Sequence, residues 1–287
     1  MKMNKFYVAV ATAALGLSSH AMALTFTDGN FTGGVDIGGD IAVPVATNQW
    51  QWAAGDAINF ASTPVTQMTN SFKTLTIPVN ANLPLLVGQT KAATPGNAGN
   101  AGLNPQIVFT NAAGGSVTPV WDNTGDSGKG TISVPVTADD GTTALGSMNI
   151  KVKVGATRAG LAGATVFIQS TSNISTGVGL YGPTALPSAT VGVLLDGTTA
   201  AAWNAALGAV PATALLAQAN TAAGTSYTTF TLNNRGQATS FGDPGQYYTG
   251  TYGLGIAQGD SITVNFTNPV TATTSWKSAL KATVTYL

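Results

Sequence analysis

A regular alternation of apolar and polar positions runs from Phe31 to Val45, near the N-terminus of the chain. Every odd position in this segment holds an apolar residue or glycine, and the even positions up to Asp40 hold Thr, Gly or Asp. A period of two predicts a β-strand with one apolar face. Because no second strand-like run lies directly beside it to form a hairpin, we predict that this strand can leave its own domain and complete another.

Shorter runs of the same kind recur along the rest of the chain, separated by Gly, Pro and Asn. They predict an all-β sandwich or barrel. Asp139-Asp140-Gly141 is predicted to form a hairpin turn. The predicted strands are Lys73–Val79, Pro84–Val87, Gln106–Thr110, Thr131–Val136, Met148–Val154, Val166–Gln169, Tyr227–Leu232, Tyr247–Ile256, Ser261–Phe266 and Leu280–Tyr286.

One stretch departs from this pattern. Thr198 to Ala206 and Ala212 to Ala219 are rich in Ala and predict one or two short helices. Their N-terminal caps are expected at Thr198 or Thr199 and at Thr213. An immunoglobulin-like sandwich needs about 100 residues, so the chain has a large surplus. We place most of it in an insertion at about residues 155–224, where a specialised surface can form.

The N-terminus has the features of a secretory signal peptide. Lys2 and Lys5 precede an apolar run, and the small-residue site Ala21-Met22-Ala23 follows it. We therefore expect residues 1–23 to be removed on export. No later run approaches the ~20 apolar residues of a membrane-spanning helix.

The charge pattern limits the classes of partner. The full sequence has 11 basic and 11 acidic residues, and loss of Lys2 and Lys5 leaves a slight negative excess. This balance gives no basis for binding nucleic acid or an anionic membrane. Only 8% of the residues are charged, which favours packing against further copies of the same chain.

The chemistry available to the chain argues against an enzyme. It has no Cys, its single histidine, His20, lies in the signal peptide, and all of its acidic residues are Asp. Disulfides, thiolate chemistry and a histidine general base are therefore absent from the mature sequence. We predict no catalytic residues, no metal site and no cofactor. A secreted hydrolase would have to depend on Asp pairs alone.

The C-terminal segment alternates as the N-terminal one does. If the sandwich is an immunoglobulin fold that lacks its final strand, an apolar groove with unpaired backbone groups lies beside this terminal strand, at a cost of ~1 to 3 kcal/mol per unsatisfied buried group. The side chains predicted to face the groove, and to contact whatever fills it, are Leu280, Ala282, Val284 and Tyr286.

The alternating N-terminal strand of a neighbouring copy is suited to fill that groove, as in donor-strand complementation. Burial of four large side chains would contribute roughly 1.5 to 3 kcal/mol each, and copies would join head to tail. Residues 24–45 then form a donor-strand extension and residues 46–287 the sandwich domain. The donated side chains are predicted to be Phe31, Val35, Ile37 and Ile41.

Three aromatic residues in or near the insertion, Phe167, Tyr181 and Trp203, have two interpretations. They could form an apolar platform that stacks against a sugar face. Alternatively, they form the small core of the insertion itself.

Several motifs resemble one protein family over nearly the whole mature chain. The sequence is similar to the FaeG-like, kappa-class major subunits of chaperone/usher fimbriae, and the likeness is weakest between Gly155 and Thr251. The motifs that carry it are FTGGVDIGGDI at 31–41, QWQW at 49–52, KTLTIPVNANLPLLVGQTKAATP at 73–95, NPQIVFT at 104–110 and TTSWKSALKATVTYL at 273–287.

The resemblance implies an incomplete immunoglobulin-like sandwich that a periplasmic chaperone holds and passes to an outer-membrane usher. Subunits would then polymerise by strand exchange into a cell-surface fimbrium. The resemblance also implies that the major subunit acts as an adhesin for host glycoconjugates, through the insertion. It assigns donor roles to the four N-terminal residues named above and groove roles to the four C-terminal ones, but no sugar-contacting residues.

Two alternatives remain open at this point. The chain could be a minor subunit of the same fimbria. It could also be an outer-membrane β-barrel, since an exported, strand-rich chain that ends in an alternating segment fits that class. Few runs have the required ~10 alternating residues, however, and a helical insertion fits a barrel poorly.

Overall fold

A computed structural model describes residues 49–60, 63–97, 102–173, 179–237 and 240–286. The predicted signal peptide and donor-strand extension, with Phe31, Val35, Ile37 and Ile41, lie outside the described residues. Within those residues the protein has an all-β fold with two short α-helices, as the alternation predicted. No described helix is long and apolar enough to cross a membrane.

The strands in the first half of the chain are β1 (Trp50–Ala54), β2 (Thr74–Pro78), β3 (Leu83–Thr90), β4 (Thr94–Pro95), β5 (Pro105–Asn111), β6 (Ser116–Val117), β7 (Val120–Trp121) and β8 (Lys129–Ala138). Then come β9 (Ala144–Ala162), β10 (Thr165–Ser172), α1 (Gly197–Ala206), α2 (Ala212–Ala223), β11 (Leu232–Gln237), β12 (Gln246–Thr249), β13 (Thr251–Ile256), β14 (Ser261–Phe266), β15 (Trp276–Lys277) and β16 (Leu280–Tyr286). Two short 3-10 helices lie at Val65–Gln67 and Thr190–Gly192.

The large sheet is organised around β9, a strand of 19 residues. Along one edge β9 pairs first with β8 and then with β10. Along the other edge it pairs in turn with β14, β13 and β12. The strand passes Gly155, the predicted start of the insertion, without interruption. The predicted insertion therefore begins within β9, as a continuation of a strand of the large sheet.

The helices lie on the large sheet where the sheet has little side-chain bulk. Gly155 of β9 pairs directly with Gly253 of β13. A Cβ atom added at either glycine would lie 2.5 Å from Oδ1 of Asn204 in α1. The indole N–H of Trp203 donates to the carbonyl of Gly253 at 3.1 Å. Two opposed glycines thus allow α1 to pack directly against the strands.

The helices begin close to the predicted positions, but the predicted caps are wrong. Asp196 caps α1, and its carboxylate accepts a hydrogen bond of 2.7 Å from the backbone N–H of Thr199. Pro211 precedes α2 without a side-chain cap, and Thr213 lies inside that helix. Asp is a stronger N-cap than Thr, which explains why α1 starts one residue earlier than predicted.

One predicted strand is wrong, and six strands of the structure were not predicted. Tyr227–Leu232 is not extended into a ladder, because Asn220 of α2 accepts from the Tyr227 N–H at 3.0 Å and donates to its carbonyl at 2.8 Å. The strand in this region, β11, starts only at Leu232 and pairs in parallel with β10. The other strands that were not predicted are β1, which pairs with β3, and the two-residue strands β4, β6, β7 and β15.

A second sheet of three strands, in the order β16-β5-β6, packs over the main core. Its buried side chains Ile107 and Phe109 belong to the largest apolar cluster. The large sheet contributes to that cluster mainly from β8, β9, β13 and β14, through Ile132, Val134, Ile150, Val152, Leu254, Ile256 and Ile262. The C-terminal strand therefore lies at the rim of the principal core.

Candidate functional site

The C-terminal strand β16 is paired along one edge over its whole length. Its partner is β5, in an antiparallel register that runs from Leu280 opposite Asn111 to Tyr286 opposite Pro105. Among the described residues no strand pairs with the other edge, and β16 ends the order of its sheet. Alternate backbone N–H and C=O groups of β16 therefore face a position where a further strand could pair.

The four side chains predicted to face a groove lie on the core-facing side of this strand. Leu280, Val284 and Tyr286 are half-buried and pack against the main core. Ala282, between them, is exposed. On β5, by contrast, Ile107 and Phe109 are no more than 1% exposed. Burial falls steeply from β5 to β16. The core is therefore covered less completely towards the open edge, which is the edge of β16 that pairs with no described strand.

Tyr286 is held from the opposite sheet. Its hydroxyl oxygen accepts a hydrogen bond of 2.7 Å from the indole N–H of Trp52 in β1. Trp52 in turn stacks on Trp50 with ring centroids 5.6 Å apart, and Trp50 is 2% exposed. The sequence prediction used QWQW only for the resemblance and did not connect it with the C-terminal strand. The alternation of Gln and Trp at 49–52 is the signal that could have revealed a strand there.

A cavity of about 200 Å³ lies at the Leu280 end of β16. The hydroxyl of Ser278, which lines it and lies between β15 and β16, donates to the carbonyl of Pro135 in β8 at 2.7 Å. Apolar surface predominates in its walls. The cavity is lined by Asn111, Ala112, Ala113, Pro135, Thr137, Gly141, Lys277, Ser278 and Ala279.

The charged groups near the site are tied to the backbone. The ammonium of Lys281 donates to the carbonyl of Ala112 at 3.0 Å, and that of Lys277 donates to the carbonyl of Asp139. Among the described residues no group of three or more His, Cys, Asp or Glu could hold a metal ion. The open edge therefore suits recognition by backbone pairing and apolar packing rather than by charge.

The structure does not bring the predicted sugar platform together. Phe167, Tyr181 and Trp203 are 5%, 0% and 7% exposed. Phe167 and Tyr181 belong to the main apolar cluster, and Trp203 belongs to a second one. Phe167 packs edge-on against Tyr248 and Tyr181 edge-on against Trp50, while Trp203 packs with the apolar residues around α1. As placed, none presents an exposed ring face, and all three lie in core positions.

Burial also shifts the pKa values of Tyr181 and of Lys153, which lies beside Trp203. The hydroxyl of Tyr181 donates to the carbonyl of Thr157 at 2.7 Å, and desolvation raises the pKa of that hydroxyl. The ammonium of Lys153 lies 4.8 Å from the centre of the Trp203 ring. Desolvation, followed by repulsion from Lys129, lowers the pKa of Lys153.

A polar cluster that sequence reasoning missed surrounds Arg158 of β9. Its guanidinium lies between the rings of Phe167 and Tyr248, at 5.2 and 4.7 Å from their centres. It also donates to the carboxylate of Asp243 at 3.1 Å and to the hydroxyl of Tyr248 at 2.9 Å. The cluster joins the end of β9 to β12 and the segment before it. No local motif reveals it, because its members are far apart in sequence.

The sequence is similar to known fimbrial proteins over nearly its whole length. The family model described as "Fimbrial, major and minor subunit", of the K88 type, matches residues 3–287. K88 fimbrial protein AB of Escherichia coli is 32% identical over 298 residues, which cover 99% of this chain and 100% of that protein. K88 fimbrial proteins AD and AC, also of Escherichia coli, are 31% and 32% identical with the same coverage of both chains.

This match selects the fimbrial interpretation over the membrane barrel and the hydrolase. The family is structural, and its members are subunits that assemble into fimbriae at the cell surface. Because the family model spans nearly the whole sequence, the chain belongs to the family of K88-type fimbrial major and minor subunits.

Proposed function

We propose that this chain is the major structural subunit of its fimbria and that it polymerises by donor-strand complementation. The Phe31–Val45 segment of one copy pairs with the open edge of β16 in the next copy. Phe31, Val35, Ile37 and Ile41 then cover the side of the core that β16 leaves incompletely buried. The observation that supports this most strongly is that, among the described residues, β16 pairs on one side only, beside a core-facing row that is only half-buried.

The energetics favour filling this edge. Four large apolar side chains contribute about 1.5 to 3 kcal/mol each when fully buried, and the backbone ladder adds to this. An uncovered edge strand above an apolar core is also a template for unspecific aggregation. A strand from another copy would bury these apolar side chains and would also cover the exposed edge. It produces a head-to-tail polymer.

The same edge needs a temporary occupant before assembly. We assign that role to a periplasmic chaperone, because the predicted signal peptide directs the chain into the periplasm. An outer-membrane usher then exchanges the chaperone for the donor segment of the incoming subunit. The low charge of the edge supports an occupant that binds through β-strand addition.

Adhesion to host glycans is part of the proposal through the family resemblance. Phe167, Tyr181 and Trp203 are not retained as contacts, because all three are buried. A glycan array probed with intact filaments tests this element. Counting the copies of this chain per filament distinguishes a major from a minor subunit.

Deletion of residues 31–41 tests the donor role. We expect the variant to be recovered from the periplasm in complex with a chaperone but to form no filaments. Ile37→Asp, which places a charge on the apolar face, should have the same effect. Asp36→Asn on the opposite face is the matched control and should assemble normally. Filaments of normal length from the deletion or from Ile37→Asp would refute strand donation by this segment.

A further inference from the structure

A turn at residues 69–74, which leads into β2, contains three consecutive residues with positive φ angles. These angles are 52° at Asn70, 54° at Ser71 and 64° at Phe72. The left-handed region costs free energy for any residue with a side chain, and a bulky residue there is unusual. Among the described residues no other three in succession have positive φ. We call residues 69–74 the Phe72 turn.

Hydrogen bonds on both sides hold the Phe72 turn in this conformation. At its base, Thr69 and Thr74 exchange backbone hydrogen bonds of 2.9 and 3.1 Å. The carbonyl of Thr69 also accepts from the N–H of Lys73 at 3.1 Å. The carbonyl of Phe72 accepts from the N–H of Val270 at 3.0 Å. The surrounding structure therefore imposes the strained backbone.

The strain is not accompanied by burial of the Phe72 ring, which is 46% exposed. Every residue from Thr63 to Phe72 is exposed except Met68, which packs against the apolar cluster around Leu75. Strained backbone that persists in a fold is concentrated at functional sites such as ligand clamps. A rigidly held, exposed aromatic ring also suits a protein interface, because little conformational freedom is lost on binding. The Phe72 turn therefore has the features of a docking element.

The Phe72 turn lies at the end of the large sheet where β9 starts. The N–H of Phe266 donates to the carbonyl of Lys73 at 2.7 Å, and Phe266 pairs with Gly146 near the start of β9. The strand with the open edge, β16, starts at the same end. Shortly before it, Lys277 pairs with Thr137, which itself pairs with the first residue of β9.

The N-terminal segment leaves the described fold towards the opposite end. Gln51 pairs with Gln89, and Gln89 pairs with Thr251, which precedes the partner of Ala156 in β9. Three antiparallel pairings link β1 to β9, so these two strands run in opposite directions and the chain before β1 leads towards the end of β9. Ala156 lies ten residues beyond Gly146, or about 33 Å along the strand. The exit point and the Phe72 turn thus lie at opposite ends of the sheet.

We infer that the Phe72 turn docks onto the next copy in the filament, at the end of the large sheet from which that copy's N-terminal segment leaves. This inference rests on the proposed function. Val45 and Gln49 are four positions apart, and an extended chain spans at most ~14 Å over that distance. The body of the donating copy must therefore lie close to the end of the open edge at which its segment enters.

A head-to-tail filament favours entry at the end that carries the Phe72 turn. If a copy received the segment at its other end, both of its neighbours would crowd the end from which its own segment leaves. A head-to-tail contact instead joins two different surfaces of the subunit. The receiving end is then the one where β16 starts, which is also the end with the exposed Phe72 ring.

Site-specific cross-linking in assembled filaments tests this contact. Benzoylphenylalanine replaces Phe72 in one variant and Val120 in a control. Val120 is 71% exposed and pairs with a residue of β8 whose own partner, Lys151, lies near the middle of β9. After irradiation and dissociation in denaturant, we expect covalent dimers from position 72 but not from position 120. Mass spectrometry should place the other end of the cross-link at residues 162–165 or 243–247 of the neighbour, where β9 ends.

The outcomes separate this contact from strand donation. Filaments that form but give no dimer from position 72 overturn the inference and leave strand donation intact. Cross-links between the Phe72 turns of two copies overturn both the inference and the head-to-tail arrangement. A cross-link to the chaperone in the periplasmic complex, with none in filaments, overturns the inference and assigns the turn to chaperone binding.

Substitutions test the same contact without a cross-linker. Phe72→Ser should leave the chaperone-bound subunit at its natural level, because the ring is exposed, but should lower the temperature at which filaments dissociate. Val120→Ser removes a more exposed side chain and should leave that temperature unchanged. Ser71→Gly relieves part of the strain and keeps the ring, so its filaments should dissociate no earlier than natural ones. Equal dissociation temperatures for Phe72→Ser and Val120→Ser filaments would contradict the docking of Phe72.

Discussion

The indole N–H of Trp52 donates a hydrogen bond of 2.7 Å to the hydroxyl oxygen of Tyr286, which lies 234 positions further along the chain. This bond joins β1, the first described strand, to β16, the last. It connects the large sheet with the small one at the Tyr286 end of the open edge. The inner row of β16 is therefore fixed at that end even though one side of the strand has no described partner.

Removing this hydrogen bond should destabilise the protein measurably. Tyr286→Phe keeps the ring but leaves a half-buried indole N–H without its acceptor, so we expect a loss of about 0.5 to 1.5 kcal/mol in the free energy of unfolding. Trp52→Phe should also destabilise, partly through lost ring area. Urea unfolding of both single variants and the double variant, all in the same assembly state, isolates the interaction as a coupling energy. A coupling energy indistinguishable from zero would contradict the role assigned to the bond.

The opposed glycines beneath α1 provide a second prediction. Gly155→Ala places a Cβ atom 2.5 Å from Oδ1 of Asn204 and 2.9 Å from the Trp203 ring. Such overpacking costs about 1 to 3 kcal/mol, so we expect a lower melting temperature and altered Trp fluorescence as α1 is displaced.

Gly236→Ala is the matched control for that variant. The nearest atoms to its added Cβ, at 3.3 to 3.5 Å, belong to the flexible side chain of Gln169. The substitution should therefore be neutral or slightly stabilising, because it also restricts the unfolded chain. Equal melting temperatures for the two variants would show that α1 does not depend on the opposed glycines.

The comparison of sequence and structure shows which features are local. The strand at Leu280–Tyr286 was predicted to the residue, because period-two alternation is a property of the segment itself. The error at Tyr227 has a partner elsewhere as its cause, since Asn220 binds both backbone groups of that residue. The cap on α1 was missed because Asp196 precedes the Ala-rich run by which the helix was recognised.

The candidate site was predictable in part for the same reason. Alternation was sufficient to place four residues on one face of the last strand. It could not show that Trp52 reaches Tyr286, nor that Phe167, Tyr181 and Trp203 are buried in apolar clusters. Those facts depend on how β9 pairs with its partner strands and how the sheets then pack. Both involve contacts between residues far apart in sequence.

The cluster around Arg158 predicts a loss of stability at alkaline pH. Tyr248 stacks on Phe241 at 5.0 Å, and its hydroxyl donates to the carboxylate of Asp243 at 2.6 Å. Desolvation, followed by that hydrogen bond, raises the pKa of Tyr248 from 10.0 to about 12, although Arg158 opposes the shift. The folded protein therefore retains a proton that the unfolded chain loses near pH 10.

The sign of the effect follows from this difference in proton binding. Between pH 10 and about 12 the folded state binds more protons than the unfolded state, so the free energy of unfolding falls as pH rises. The contribution of Tyr248 is fully present below pH 10 and is lost as pH rises through its folded pKa.

Burial also raises the pKa values of Tyr181 and Tyr252, so part of the slope will remain when Tyr248 is replaced. Urea midpoints measured across this range should decline less steeply for Tyr248→Phe than for the natural chain. Identical slopes would mean that the Tyr248 hydroxyl does not retain its proton in the folded protein.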